Sequence, residues 1–395
     1  MIVHRHRAAA LAAVLTAAAL SLSACGSAGS TAKSGDAAKS GGAKSGGAVD
    51  ARTATSLADF GGMDGLVAAA KKEGKLHVIT LPRDWANYGK LMDDFKAKYG
   101  IEIEDENPDG SSQDEINAIK SRKGQDRAPD TVDLGSAFAL SAAKEGLLAP
   151  YKVAGFDKIP ATMKDPAGLR VNDYGGYISI GCDAKRVATC PQTFADLLKP
   201  EYKGQVALNG NPTKSGSAFG GVYAAALANG GSLDDIQPGI DFFAKLKQSG
   251  NFNPVESTPA TVEKGETPIS IDWSYLNAGY TDEFKGKGVD WKVAVPSDGS
   301  YAQYYNQAVN KDAPHPAAAR LWLEYLYSVE GQNGFLGGYA TPALFDAMKK
   351  DGTLDTAAAA KLPTVEKPFT TFPSSDQVDK AKKVVTDNWA KAIAG

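Results

Sequence analysis

Histidine and cysteine are scarce in this chain, four and three residues respectively in 395. Little is left for a thiol–imidazole catalytic pair or a zinc cluster of recognisable spacing. Two other signatures are missing, the Gly-x-Ser-x-Gly nucleophile elbow and the Gly-x-x-x-x-Gly-Lys phosphate loop. No excess of one charge exists, since 43 Lys and Arg stand against 46 Asp and Glu. A broad basic face is therefore not expected, nor is nucleic acid as a partner. After Cys25 no apolar run approaches the roughly 20 residues that a membrane helix needs, so the body is expected to be soluble. Neither catalysis nor a bound cofactor is expected.

What is present begins with the N-terminus. Arg5 and Arg7 precede residues 8–20, which are almost wholly Ala, Leu and Val. A short basic stretch, a brief apolar run and small residues at its end make a secretory signal, placed at 1–24. Leu22-Ser23-Ala24-Cys25 resembles the lipobox of bacterial lipoproteins. That resemblance implies cleavage before Cys25 and acylation of its sulfur, which would anchor the chain to the outer face of the cell membrane. Residues 26–49 are Gly, Ser, Ala, Lys, Thr, Val and Asp without one large aromatic or branched core former beyond Val49. They cannot bury enough surface to offset their ordering entropy, so residues 25–57 are taken as lipidated Cys and flexible linker. In an oxidising compartment the two remaining thiols, Cys182 and Cys190, are expected to form a disulfide. No His lies near them, His77 and His315 sit in unrelated contexts, and no metal site is expected.

The body reads as short apolar runs alternating with amphipathic stretches. Leu76-His77-Val78-Ile79-Thr80-Leu81 predicts a strand, and 87–99 a helix with apolar side chains at spacings of three and four. Residues 101–104 predict a second strand. A helix over 112–122 opens with Ser112 and Glu115 as a capping box. A strand at 131–134 and a helix over 137–145 complete a βαβαβα order, the mark of strands flanked by helices. Residues 174–182 form one long apolar-aromatic strand, able to run from one lobe to another. Helices follow over 193–198, 217–229, 240–249, 258–264 and 275–285, with strands at 205–208 and 268–271. Residues 291–296 are a second candidate crossing strand. Strand 307–309, helix 317–327 and a last helix over 375–393 close the chain. The fold class is thus α/β with two lobes. Lobe 1 is assigned 58–176 and 304–395, and lobe 2 is assigned 177–303. Ligands of open α/β sheets sit beyond the carboxyl ends of the strands, so facing lobes make a cleft that hinge motion can close.

Several stretches together resemble the solute-binding proteins of ABC importers, of the type II, periplasmic-binding-protein-like fold with two hinge crossings. Leu66-Val67-Ala68-Ala69-Ala70-Lys71-Lys72-Glu73-Gly74-Lys75 resembles that family's leader helix. Asn211-Pro212-Thr213-Lys214-Ser215-Gly216 resembles its second-lobe ligand loop, and Val262-Glu263-Lys264-Gly265-Glu266-Thr267-Pro268-Ile269 the stretch before its cleft strand. Ala313-Pro314-His315-Pro316-Ala317-Ala318-Ala319-Arg320 and Ser328-Val329-Glu330-Gly331-Gln332 resemble its return helix and that helix's end. The branch with polyamine, thiamine, ferric-iron and phosphonate receptors is the nearest in kind. The resemblance implies a monomeric receptor that hands a small solute to ABC permease subunits. A structural or adhesion lipoprotein of the same shape is the alternative class.

The ligand must be sought in loop chemistry. Asp84 and Trp85 follow the first strand, where an indole can stack on a cationic group; Asp84 as a helix cap is the other reading. Ser136 lies in a small-residue turn that exposes N–H groups. Asn211, Ser215, Gly216 and Ser217 precede a helix and offer hydroxyl and N–H donors to an anion. Asp272, Trp273 and Tyr275 end an apolar strand, a carboxylate between aromatics that suits an organic cation, or else a cap followed by a core Trp. Tyr304 beside Tyr305 superficially resembles the phenolate pair of ferric receptors. A polyamine or thiamine-like cation is expected first, a phosphonate or organophosphate second, and iron third.

Overall fold

Helix α1 (Met63–Glu73) stops at Gly74, whose φ of 76° is the left-handed conformation that glycine adopts without a Cβ clash. That stop turns the chain directly into strand β1 (Lys75–Ile79). The computed structural model describes residues 49–366 and 371–394. The signal segment, Cys25 and residues 26–48 of the expected linker lie outside the described residues. Residues 50–57, expected as the linker's end, are instead docked. Ala54 is buried, and Arg52 donates to the Ala313 carbonyl at 2.8 Å. The buried Arg320 guanidinium holds the Ala54 and Arg52 carbonyls at 2.8 and 3.1 Å. Paired backbone groups of this kind make residues 50–57 part of the body.

After β1 come α2 (Tyr88–Tyr99), β2 (Glu102–Glu106), α3 (Ser112–Ser121), β3 (Thr131–Gly135), α4 (Ser136–Lys144) and β4 (Leu148–Ala149). β1 and β2 pair in parallel, Lys75 opposite Glu102 and Ile79 opposite Glu106, the βαβ unit read from the sequence. Strand β5 (Val171–Asp183) is 13 residues long and buried at every position but Tyr177. At about 3.3 Å per residue it reaches roughly 40 Å, longer than one lobe requires. Beyond it lie β6 (Val206–Leu208), α5 (Gly216–Ala228), α6 (Gln237–Gln248), α7 (Pro259–Lys264), β7 (Ile269–Trp273), α8 (Ser274–Glu283) and β8 (Trp291–Ala294). β9 (Ala302–Asn310), α9 (Pro316–Leu326), α10 (Val329–Gly337), β10 (Thr341–Pro342), α11 (Phe345–Asp351), α12 (Thr356–Ala359) and α13 (Ser375–Ala394) complete the described chain.

β5 is shared by two sheets. Its first half pairs antiparallel with β9, from Val171 opposite Gln307 to Tyr177 opposite Ala302. Its second half pairs with β7, from Ile178 opposite Trp273 to Cys182 opposite Ile269, and with β8. β9 continues in the first sheet to pair with β3, Thr131 opposite Val309. β5 is therefore the strand shared by both sheets, and β9 starts beside it at their junction, with all its pairs in the first sheet. Residues 291–296, expected as the second crossing, supply only β8, which stays on the edge of the second sheet against Ile180–Asp183. An apolar run predicts a strand but says nothing of its partner. β9 has no apolar alternation to mark it, because Gln303, Asn306 and Gln307 are polar yet buried; the Asn306 and Gln307 amide groups donate to Ser136 Oγ at 3.0 Å and to the Tyr88 hydroxyl at 2.8 Å.

Two smaller differences have simple causes. The helix expected over 193–198 is only a turn of 3-10 helix at Asp196–Leu198. There the Asp196 carboxylate collects the Gln192 and Thr193 amides at 3.0 and 3.1 Å, a local bond that competes with helix. The capping box of α3 is Ser111 with Asp114, one residue earlier than expected. The predicted disulfide is present, Cys182 to Cys190 with Cα atoms 5.8 Å apart. His77 and His315, which the sequence places in unrelated contexts, lie side by side with ring centroids 5.1 Å apart. Among the described residues no helix is long and apolar enough to cross a membrane.

Candidate functional site

The loops that follow β1 and β2 face the loops that follow β6 and precede α7, and between them lies a cavity of about 340 Å³. One wall is Thr80, Leu81, Pro82, Asp84 and Trp85 from the end of β1, with residues 108–112, Asp114, Glu115 and Asp133 beside them. The opposite wall is residues 209–211, Lys214, Ser215, Gly216, residues 256–259, Leu276, Tyr280 and Tyr305. The two walls touch at glycines. A Cβ on Gly135 would stand 3.0 Å from the Gly216 Cα, so only residues without side chains permit this approach.

The first wall holds unusual backbone. Thr80, Ala86, Asn87 and Asn107 have φ of 59°, 45°, 68° and 49°. For a β-branched residue such as Thr80 this costs on the order of 1–3 kcal/mol, and such strain clusters at ligand sites. Gly110 is required there, because a Cβ would lie 2.5 Å from both Thr80 Oγ1 and Asn107 Nδ2.

Trp85 is fixed by a relay of hydrogen bonds. Its indole N–H donates to the Tyr174 hydroxyl at 2.7 Å, which donates to Asp133 at 2.8 Å. Tyr88 donates to the same Asp133 oxygen at 3.0 Å. Burial pushes the Asp133 carboxyl up to about 7, against the pull of these two phenols. Glu115 is likewise pushed up by burial and then by the Asp133 charge, while accepting the Asp133 amide at 2.8 Å. The indole edge meets Tyr275 at 6.1 Å and Tyr305 at 5.7 Å between ring centroids.

The mouth is acidic. Among the described lining residues one lysine, Lys214, stands against four exposed carboxylates, Asp84, Asp109, Asp114 and Glu256, while Glu115 and Asp133 lie buried behind them with raised carboxyls. Asp84 and Glu256 are each raised above the usual carboxylate range, first by partial loss of water and then by the Asp109 charge. Carboxylates that raise one another's affinity for protons form a place where positive charge is stabilised. Two longer helices also begin here. The N-cap Ser215 of α5 accepts the Ala218 amide at 3.3 Å and donates to the Asn209 carbonyl at 2.8 Å. Ser112 at the start of α3 accepts the Gly135 amide at 3.1 Å.

Five of the sequence-predicted residues line the cavity: Asp84, Trp85, Asn211, Ser215 and Gly216. Asp272, Trp273 and Tyr275 do not. Asp272 is wholly buried beneath the second wall, and its carboxylate accepts from Ser217 Oγ, from Asn209 Nδ2 at 2.8 Å and from the Trp273 amide at 2.7 Å. Ser217 is thereby committed to Asp272, and the Trp273 ring is core, stacked on Tyr275. In this structure these residues lie behind the cavity wall and brace it. Ser136 and Tyr304 lie on another face of β9, where Ser136 Oγ donates to the Tyr304 carbonyl at 2.9 Å and both border a separate cavity. Successive residues of a strand point to opposite faces, so Tyr305 reaches the cleft and Tyr304 cannot join it.

Sequence reasoning did not single out Asp109, Asp133, Glu256 or Tyr280, named Glu115 only as part of a helix cap, and named Tyr305 only as the neighbour of Tyr304. The first was within reach, because the loop at 107–111 ends a recognised strand just as the loop with Asp84 does. Glu256 and Tyr280 carry no local signal. Only the fold delivers them.

A family model described as bacterial extracellular solute-binding protein matches residues 126–380. An uncharacterized protein of Haemophilus influenzae is 27% identical over 252 residues, which covers 60% of this chain and 68% of that one. The periplasmic binding protein AfuA of Actinobacillus pleuropneumoniae, with exogenous fructose-6-phosphate bound, superposes with a TM-score of 0.62 at 20% identity, covering 81% of this chain and 99% of that one. A putative spermidine/putrescine ABC transporter protein of Listeria monocytogenes gives 0.58 at 15% identity, covering 81% and 98%. At such identities the structural likeness establishes the two-lobed binding-protein fold.

Proposed function

The chain belongs to the bacterial extracellular solute-binding proteins, and from that premise we propose that it is the receptor of an ABC importer for a small organic cation. In this reading it works as a monomer, tethered to the membrane through acylated Cys25. Lobe 1 comprises 58–176 and 304–395, lobe 2 comprises 177–303, and the solute is enclosed between them. The observation that carries the reading is the acidic mouth: Asp84, Asp109 and Glu256 border a cavity whose walls include Trp85, Tyr280 and Leu276. Carboxylates neutralise an ammonium or ring cation while aromatic faces cover its carbon skeleton. A polyamine or a thiamine-like solute has that chemistry, and the structurally similar Listeria protein is named for spermidine and putrescine.

A second reading rests on the starts of α3 and α5. Their N–H groups suit an anion, and the similar A. pleuropneumoniae protein holds a sugar phosphate. A thiamine phosphate would use the acids at one end and the helix starts at the other. Ferric iron is less favoured, because Tyr304 and Tyr305 diverge.

A thermal-shift screen over polyamines, thiamine and its phosphates, phosphonates and ferric citrate tests this. At a hundred times its dissociation constant a true ligand stabilises the protein by about 2.7 kcal/mol. Stabilisation by phosphonate alone would replace the cation reading with the second one. No stabilisation by any solute would favour the structural or adhesion alternative.

A further inference from the structure

We propose a divalent metal site of the zinc class beside β1, outside the solute cavity, formed by His77, His315 and Asp126. One ligand atom from each lies within 4.8 Å of the others. His77 is on β1, Asp126 is on the loop before β3, and His315 is the N-cap of α9. None of the three lines the solute cavity.

The histidines are held as metal ligands are held. Asp130, which has no solvent exposure, accepts the His77 amide at 2.7 Å, the His315 amide at 2.6 Å and the His315 Nδ1–H at 2.9 Å. One carboxylate therefore positions both residues. It also fixes His315 as the tautomer whose Nε2 lone pair is free. That Nε2 is 3.7 Å from Asp126 Oδ1, while Asp126 Oδ2 is steadied by Lys75 at 2.7 Å.

His77 supplies the independent sign of a ligand. It is 4% exposed, and neither ring nitrogen has a hydrogen-bond partner. Glu104 Oε2 lies 3.2 Å from its Nδ1, outside hydrogen-bonding geometry. A buried imidazole with one ion-pair contact and no hydrogen bond recovers little of its lost hydration, and a metal ion would supply the missing bond. Two imidazoles and a carboxylate, with a water in the fourth position, match the donor set and number that zinc takes. Such an ion would tie β1, the loop before β3 and the start of α9 together.

The test is titration of the full chain with zinc chloride, and with cobalt chloride for its visible absorption. One equivalent should bind, raise the thermal midpoint, and give the intense bands of four-coordinate cobalt. Asp126 is exposed, so Asp126→Asn should fold normally; it should weaken this binding by about tenfold or more. His77→Gln should do the same and abolish the cobalt bands. Asp109→Asn with Glu256→Gln should leave zinc affinity unchanged. The proposal falls if wild type binds no zinc, if Asp126→Asn retains full affinity, or if the cleft variant is the one that loses it.

Discussion

Neutralising the acids at the mouth gives the sharpest test of how the cleft selects its solute, because the outcome has opposite signs for the two solute classes. Asp109 and Glu256 are exposed at the rim of the cavity. An exposed ion pair contributes about 0.2–1 kcal/mol. Trp85, Tyr280 and Leu276 replace water on the inner side, which places each acid near the upper end of that range. Asp109→Asn and Glu256→Gln should then each weaken a polyamine or thiamine by about fivefold. Fixed charges act on a bound cation pairwise, so the double variant should lose about 30-fold at pH 7.5 and low salt. The loss should shrink as ionic strength rises and the Debye length falls. The same double variant should bind a phosphonate more tightly than wild type does. Isothermal titration calorimetry measures both. Unchanged or tighter binding of the cation by the double variant would refute the electrostatic reasoning.

Closure should depend on the glycine contact: Gly216→Val places a side chain where even a Cβ would sit 3.1 Å from the Gly135 Cα. It should lower solute affinity on the order of tenfold by disfavouring the closed state, with little change in the unfolding midpoint measured without solute. Replacing Cys182 and Cys190 together by Ala should lower stability by about 2.5 kcal/mol in the chain-entropy model, read from urea unfolding. Asp133 gives a pH dependence. Burial raises its carboxyl to about 7 in the folded chain, so the native state retains a proton that the unfolded state releases above its ordinary value near 3.8. Its contribution is fully present below that value and is lost as pH rises through about 7. Urea midpoints should therefore fall between pH 5 and 8, and Asp133→Asn should flatten that slope; an unchanged slope would assign it to other groups.

The sequence was legible where local pattern and tertiary role coincide. The βαβ order of the first lobe, the length of β5 and the Cys182–Cys190 loop all express constraints that act over a few residues. The site was legible only as far as the rule that ligand loops follow strands, which reached Asp84, Trp85, Ser215 and Gly216. At Asp272 it reached a residue that lies behind the cavity wall in this structure. An acid between a strand and aromatic residues looks the same in sequence whether it faces solute or is buried, and here Ser217 and Asn209, 55 and 63 positions away, settle it. The same limit applies to Tyr304 and Tyr305, whose faces depend on the register of β9 against β3 and β5.

That register carries a mechanical consequence. β9 begins beside Tyr177 at the junction of the two sheets and ends deep in the first one, beside β3. Tyr305 sits opposite Gly135 on that ladder, its hydroxyl would lie 3.2 Å from a Cβ on Gly216, and its ring meets Trp85 and Trp273. A single side chain on β9 thus touches Trp85 of the first wall, Trp273 of the second sheet and the glycine contact between the walls. The Trp85 and Tyr305 rings are 5.7 Å apart, so a solute that presses on Trp85 would also press on Tyr305. Because packed interiors respond to pressure by rigid displacement instead of gradual deformation, we propose that occupancy of the cleft is felt at the sheet junction through Tyr305, and Tyr305→Ala should then weaken solute binding without changing the residues that line the acidic mouth.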